Sequence, residues 1–176
     1  MQYSTTIAIL AALSNLALGA PLISRQSNPP SIQHIADAQN EWAADTSKVS
    51  QFLSAAENLS PTDLVTQAAT ALANEKDELL HKMVLDNEFL SSNPSVQQAN
   101  DVLVNQGKFQ DVVNGLQDLA DNGGSLTSDE VTSRIQTINQ GRCTFVLPAI
   151  DTYFQASSSV LNNGLLTLAN RPDNCP

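Results

Sequence analysis

Four long stretches of this chain carry apolar residues at helical spacing, and only short breaker clusters separate them. That pattern constrains the fold more than any single motif, because helices joined by short turns settle most simply as antiparallel neighbours. After Asn28, Pro29, Pro30 and Ser31, the residues Ile32, Ile35, Ala38, Trp42, Val49, Phe52 and Ala56 form one apolar stripe. Asp45 falls where the seven-residue rhythm calls for an apolar group. It is expected at the rim, since an unpaired buried carboxylate is costly.

The second helix opens at Ser60, Pro61 and Asp63: a cap, a first-turn proline that loses no needed N–H, and a negative charge at the positive end. Its face reads Val65, Ala68, Leu72, Leu79, Met83, Asp86 and Leu90, widened by Leu64, Leu80, Leu85 and Phe89, and it should end near Ser91. Asn93 and Pro94 repeat the device for a third helix through Val96, Ala99, Leu103, Phe109, Val113, Leu116 and Ala120. Gly107 and Gly115 interrupt it, marking a break, a bend or a close helix approach. The turn Asp121, Asn122, Gly123, Gly124 and Ser125 precedes a capping box, Thr127 with Glu130, which starts the fourth segment. Pro148 inside that segment should kink it or split it in two, and Asn162, Asn163 and Gly164 should end it. Alternating β-branched runs are absent. The expectation is an all-α, antiparallel up-and-down bundle of four long helices, the fourth kinked or split near Pro148.

Residues 1–20 read as a secretory signal peptide, with an apolar core from Ile7 to Ala20 that is too short to span a bilayer of about 30 Å. Residues 21–30 form a flexible N-terminal segment, and 31–176 a single helical domain. No second long apolar stretch follows, so a transmembrane anchor is not expected, and the protein should be secreted, extracellular or cell-wall associated. Export through an oxidising compartment makes a disulfide between Cys143 and Cys175 the economical reading, tying the tail to the fourth helix. An intermolecular bridge or two free thiols stay open as alternatives. Asn58, Leu59 and Ser60 match the N-glycan acceptor pattern, although Ser60 doubles as the helix cap and Pro61 follows.

A net charge of -10 and the absence of any Lys/Arg run leave no electrostatic footprint for nucleic acid. His34 and His81 are the only histidines. Glu78 and His81 have the i, i+3 spacing of carboxylate-bridged metal bundles, but no second such pair exists, so no metal is expected. Glu75, Asp77 and Glu78 beside Lys76 and Lys82 read as a solvated helix face. No nucleophile elbow, C-x-x-C pair, P-loop or dinucleotide fingerprint occurs, which leaves an enzyme, and with it a cofactor, without a sequence basis. The segment from Arg142 to Phe154 is locally the richest in bulky groups. If helical faces fail to fill their interior, Met83, Phe89, Phe109, Phe145, Tyr153 and Phe154 are the candidate lining of an apolar ligand cavity.

An export peptide, a Pro-rich start, four Ser/Gln/Asn-rich amphipathic helices and a tail beside the last helix together resemble small secreted proteins of filamentous fungi. The layout from Ile32 to Gly164 resembles, more loosely, the hydrophobic-surface-binding and cell-wall galactomannoprotein family. That resemblance implies a noncatalytic exported binder of lipid-like molecules, hydrophobic surfaces or wall material. The alternative is a secreted effector or interaction module that engages a host or cell-wall protein through its helical exterior.

Overall fold

The computed structural model describes residues 31–162 and 166–176. The export segment, residues 21–30 and the Asn163–Gly164 stop lie outside the described residues. The described chain is an all-α bundle of four long rods, two of them broken. The first rod is α1 (Ile32–Ala55), capped by Ser31, whose hydroxyl accepts the His34 amide, and closed by a 3-10 turn at Ala56–Asn58. The second is α2 (Pro61–Phe89), started as expected by Ser60, whose Oγ accepts the Asp63 amide at 3.2 Å. Asn93 caps α3 (Pro94–Asn100) through the Ser95 and Val96 amides. A π-helical stretch, Asp101–Asn105, leads to Gly107 and then to α4 (Lys108–Asn122).

The two glycines divide the options left open for the third rod. Gly107 takes φ +69°, the left-handed region that glycine enters without steric cost, and the helix breaks there. Gly115 is the close approach: a Cβ built on it would stand 2.6 Å from Ile138 Cγ1, so α4 could not lie this near its neighbour with any larger residue. That neighbour is α5 (Ser128–Gly141), which begins with the complete Thr127–Glu130 capping box. A second π-helical stretch, Arg142–Val146, joins it to α6 (Leu147–Leu161). The fourth rod therefore divides just ahead of Pro148, which occupies the first turn of α6, where a proline's missing N–H is tolerated.

The rod α1 packs on α2 and α6, α2 on α4, α4 on α5, and α3 on α6. Trp42, Leu53, Leu64, Leu85, Leu103, Leu116, Leu119, Ile135, Tyr153 and Phe154 fill the centre. The Trp42 ring meets Tyr153 and Phe154 at centroid separations of 5.3 and 5.7 Å, tilted and edge-on, arrangements favoured by ring quadrupoles. Cys143 and Cys175 form the disulfide, with Cα atoms 5.9 Å apart. The tail it holds is also tied by polar bonds: Ser50 Oγ donates to the Asn170 carbonyl, and Asp151 accepts the Ala169 amide and pairs with Arg171. Among the described residues, no helix is long and apolar enough to cross a membrane.

The mid-section of α2 departs from the sequence reading. Glu75, Glu78 and Lys82 face the core, while Leu79, Leu80 and Met83 face out, Leu80 and Met83 at 59% and 61% exposure. The expected solvated face of Glu75, Asp77 and Glu78 is thus corrected for two of its members, and only Asp77 remains outside. Asp45 is likewise buried rather than at the rim. Each inward carboxylate has an oppositely charged or N–H group beside it, which offsets the cost that the sequence argument assumed unpaid.

Candidate functional site

Two features concentrate chemistry in this bundle, and both involve the Arg142–Val146 turn. The first lies inside. Arg142 and the carboxyl groups of Glu75 and Glu78 have no solvent exposure. The Trp42 indole N–H donates to Glu78 Oε2 at 2.8 Å, and Arg142 Nη2 donates to Glu78 Oε1 at 3.3 Å and to the Thr46 carbonyl at 3.4 Å. Arg142 Nη2 also lies 3.4 Å from Glu75 Oε2, yet neither oxygen of Glu75 receives a protein hydrogen bond. Burial is the main cause holding both acids above the ordinary carboxylate range, and the charge of Glu75 raises Glu78 further.

Beside this layer, Lys82 Nζ reaches Asp86 Oδ2 and Asn100 Oδ1, each at 2.6 Å, and the Tyr153 hydroxyl donates to Asp86 Oδ1 at 2.6 Å. Burial, then the Asp86 contact, pushes the Tyr153 phenol far upward, so it acts as a neutral donor. On the α1–α2 flank, Asp45, Asp77 and His81 bring ligand-type atoms within 4.8 Å of one another. Asp45 Oδ1 is already taken by Lys48 at 2.8 Å and Oδ2 faces His81 Nε2 at 3.2 Å, while His81 Nδ1 faces Glu41 at 3.3 Å. These contacts engage both ring nitrogens of His81 and both oxygens of Asp45 with other protein groups.

The second feature is a groove of about 450 Å³ between α4 and α5. Val112, Gly115 and Ile138 form its floor, Gly141 leaves one end open, and Phe145 stands at that end, 43% exposed. The rim carries two ion pairs, Lys108 with Asp111 and Arg134 with Asp118, and Lys108 Nζ also lies 5.4 Å from the Phe145 ring centroid. Two glycines line the groove. Gly115 lets the helices meet at the bottom, and a Cβ at Gly141 would touch nothing within 4 Å. Phe145 is shared with a second depression, between α3 and α6, lined by Ala99, Val102 and Pro148. The ring therefore forms a ridge between two hollows, on a stretch that packs against the other π-helical stretch. Such turns recur at functional sites, because the extra residue re-aims side chains that an α-helix would hold in register.

The six candidate cavity residues do not share one lining. Phe89, Phe109, Tyr153 and Phe154 are buried in the packed core, Met83 points outward from α2, and Phe145 alone borders the grooves. Sequence reading missed Arg142, Gly141, Val112 and Ile138 as site-forming residues. The only local signal was that Arg142 and Phe145 sit in the bulky segment before Pro148. Asn58 is exposed, and the hydroxyl of Ser60 in its acceptor triplet is engaged in capping α2. No protein-family model matches this chain, and no match was found among curated proteins or solved structures.

Proposed function

We propose that this protein is a noncatalytic, exported binder of lipid-like molecules or hydrophobic surfaces, and that the apolar part of the ligand sits in the α4–α5 groove. The observation that carries the reading is the groove itself: about 450 Å³ of space over Val112 and Ile138, walled by a half-exposed Phe145. That volume falls in the range of small-molecule sites, and its rim is closed by two ion pairs, Lys108 with Asp111 and Arg134 with Asp118. Burying an acyl chain against such a floor contributes roughly 25 cal/mol per Å² of apolar surface removed from water, before ordering costs.

Titration of the oxidised protein with a fluorescent fatty acid tests this. Gly141→Leu fills the groove in open space, on backbone with φ -65° that any residue adopts, and should weaken binding at least about tenfold. Equal affinity of wild type and variant, or no binding by the wild type, would refute the assignment. The outward row Leu79, Leu80 and Met83 on α2 favours a second reading, an effector or interaction module that docks a host or cell-wall protein there. Leu80→Lys with Met83→Lys should abolish such docking and leave fatty-acid binding unchanged.

A further inference from the structure

We propose that Glu75 and Glu78 hold one proton between them in the folded core, so that the bundle carries a proton the unfolded chain releases, and loses stability as the medium turns alkaline. The inference goes beyond the groove and stands without it. Its first support is charge arithmetic. Two carboxyl groups meet one guanidinium, that of Arg142, where none of the three has solvent exposure. With both acids ionised, the layer would keep an uncompensated negative charge in a low-dielectric core.

Its second support is the count of donors. Both oxygens of Glu78 are served, one by Trp42 and one by Arg142, as suits an ionised carboxylate. Neither oxygen of Glu75 receives a hydrogen bond, so Glu75 is the acid of the pair with no donor to hold its charge. One proton held by the pair leaves a single negative charge facing the single guanidinium, and so removes the surplus charge.

Among the described residues, Arg142 is the one cation within ion-pair distance of either acid. From α1 come the neutral Trp42 indole and the Thr46 carbonyl, and the joining turn contributes Arg142 alone. From α6, Tyr153 meets Trp42 at a tilt and turns its hydroxyl to Asp86. Elsewhere on these helices Lys82 pairs with Asp86, Asp45 with Lys48 and His81, and Lys76 reaches out to Gln117 of α4. The sign follows from linkage. A group that binds its proton more tightly when folded contributes stability that is complete below its unfolded pKa and lost as pH rises toward the folded one.

The test is chemical denaturation of the oxidised protein from about pH 5 to about pH 9, wild type against Glu75→Gln. In the wild type, the unfolding equilibrium constant should rise by about tenfold per pH unit more than in the variant until the pair has titrated. Glu75→Gln removes one of the two acids and with it that component. Parallel pH profiles for the two proteins would overturn the proposal. If the variant does not fold, infrared spectroscopy of the wild type at neutral pH decides. A protonated carboxyl band that disappears on unfolding supports the shared proton, and its absence from the folded protein overturns it.

Discussion

Arg142 and Phe145 belong to one five-residue turn, yet they occupy opposite environments. The guanidinium is sealed in the core against two acids, while the aromatic ring stands half in water between two grooves. By composition alone the assignments would be reversed. The comparison teaches that local polarity does not decide burial where charges find partners, and that a packed core can leave apolar groups outside if helices meet too closely to cover them. The inner layer should govern stability and the outer one binding. The two can be separated by single substitutions.

The largest effect should come from Arg142→Met, which strands Glu78 and removes the only buried cation of the layer. A loss of about 3 to 5 kcal/mol in denaturant titrations is expected near neutral pH, shrinking in acid as the carboxyls take up protons. A loss below about 1 kcal/mol would mean that the layer is not electrostatically coupled to the fold. Replacing both Cys143 and Cys175 by Ser should cost about 2 to 4 kcal/mol and free the tail, because the bridge closes a sequence separation of 32 residues. Fatty-acid affinity should change little, since the bridge does not border the groove.

Phe145→Ala should do the converse. Its stability change is expected to stay within about 1 kcal/mol, because the ring is already half solvated. Fluorescent fatty-acid affinity should fall severalfold, and a variant that binds normally would move the site away from this ridge. The smallest effect concerns acid. Hydrogen bonds from the Thr127 amide and hydroxyl hold the Glu130 carboxyl below its ordinary range, and Arg134 and Asn122 do the same for Asp118. Stability from these contacts is present above the unfolded carboxylate range and is lost as pH falls through the lowered folded values. In the core pair the direction is opposite, so the wild-type profile should decline on both sides of a mildly acidic maximum. A profile that rises steadily toward alkaline pH would contradict the core half of that account.

How much could be read in advance differs sharply between these regions. The caps at Ser60, Asn93 and Thr127, an interruption at Gly107, a kink or split near Pro148 and the tail disulfide were legible, and the structure resolves the interruption as a break and the kink or split as a division ahead of Pro148. The groove was not legible. Its floor needs Gly115 of α4 against Ile138 of α5, and nothing near either residue announces the other. The candidate ligand residues were chosen by size and aromaticity, which are also the properties that fill a core, and four of the six are buried there.

The chain's own letters thus determined where helices begin and stop, since capping, proline tolerance and glycine freedom act within a few residues. Only the tertiary structure decided which way the middle of α2 faces. Periodicity ranks positions by hydrophobicity, so it turned Leu79 and Met83 inward and Glu75 and Glu78 outward. The actual facing depends on Trp42, 36 positions before Glu78, and on Arg142, 64 positions after it. A buried charge is tolerable only once such distant partners have been brought beside it, and that is a property of the assembled bundle.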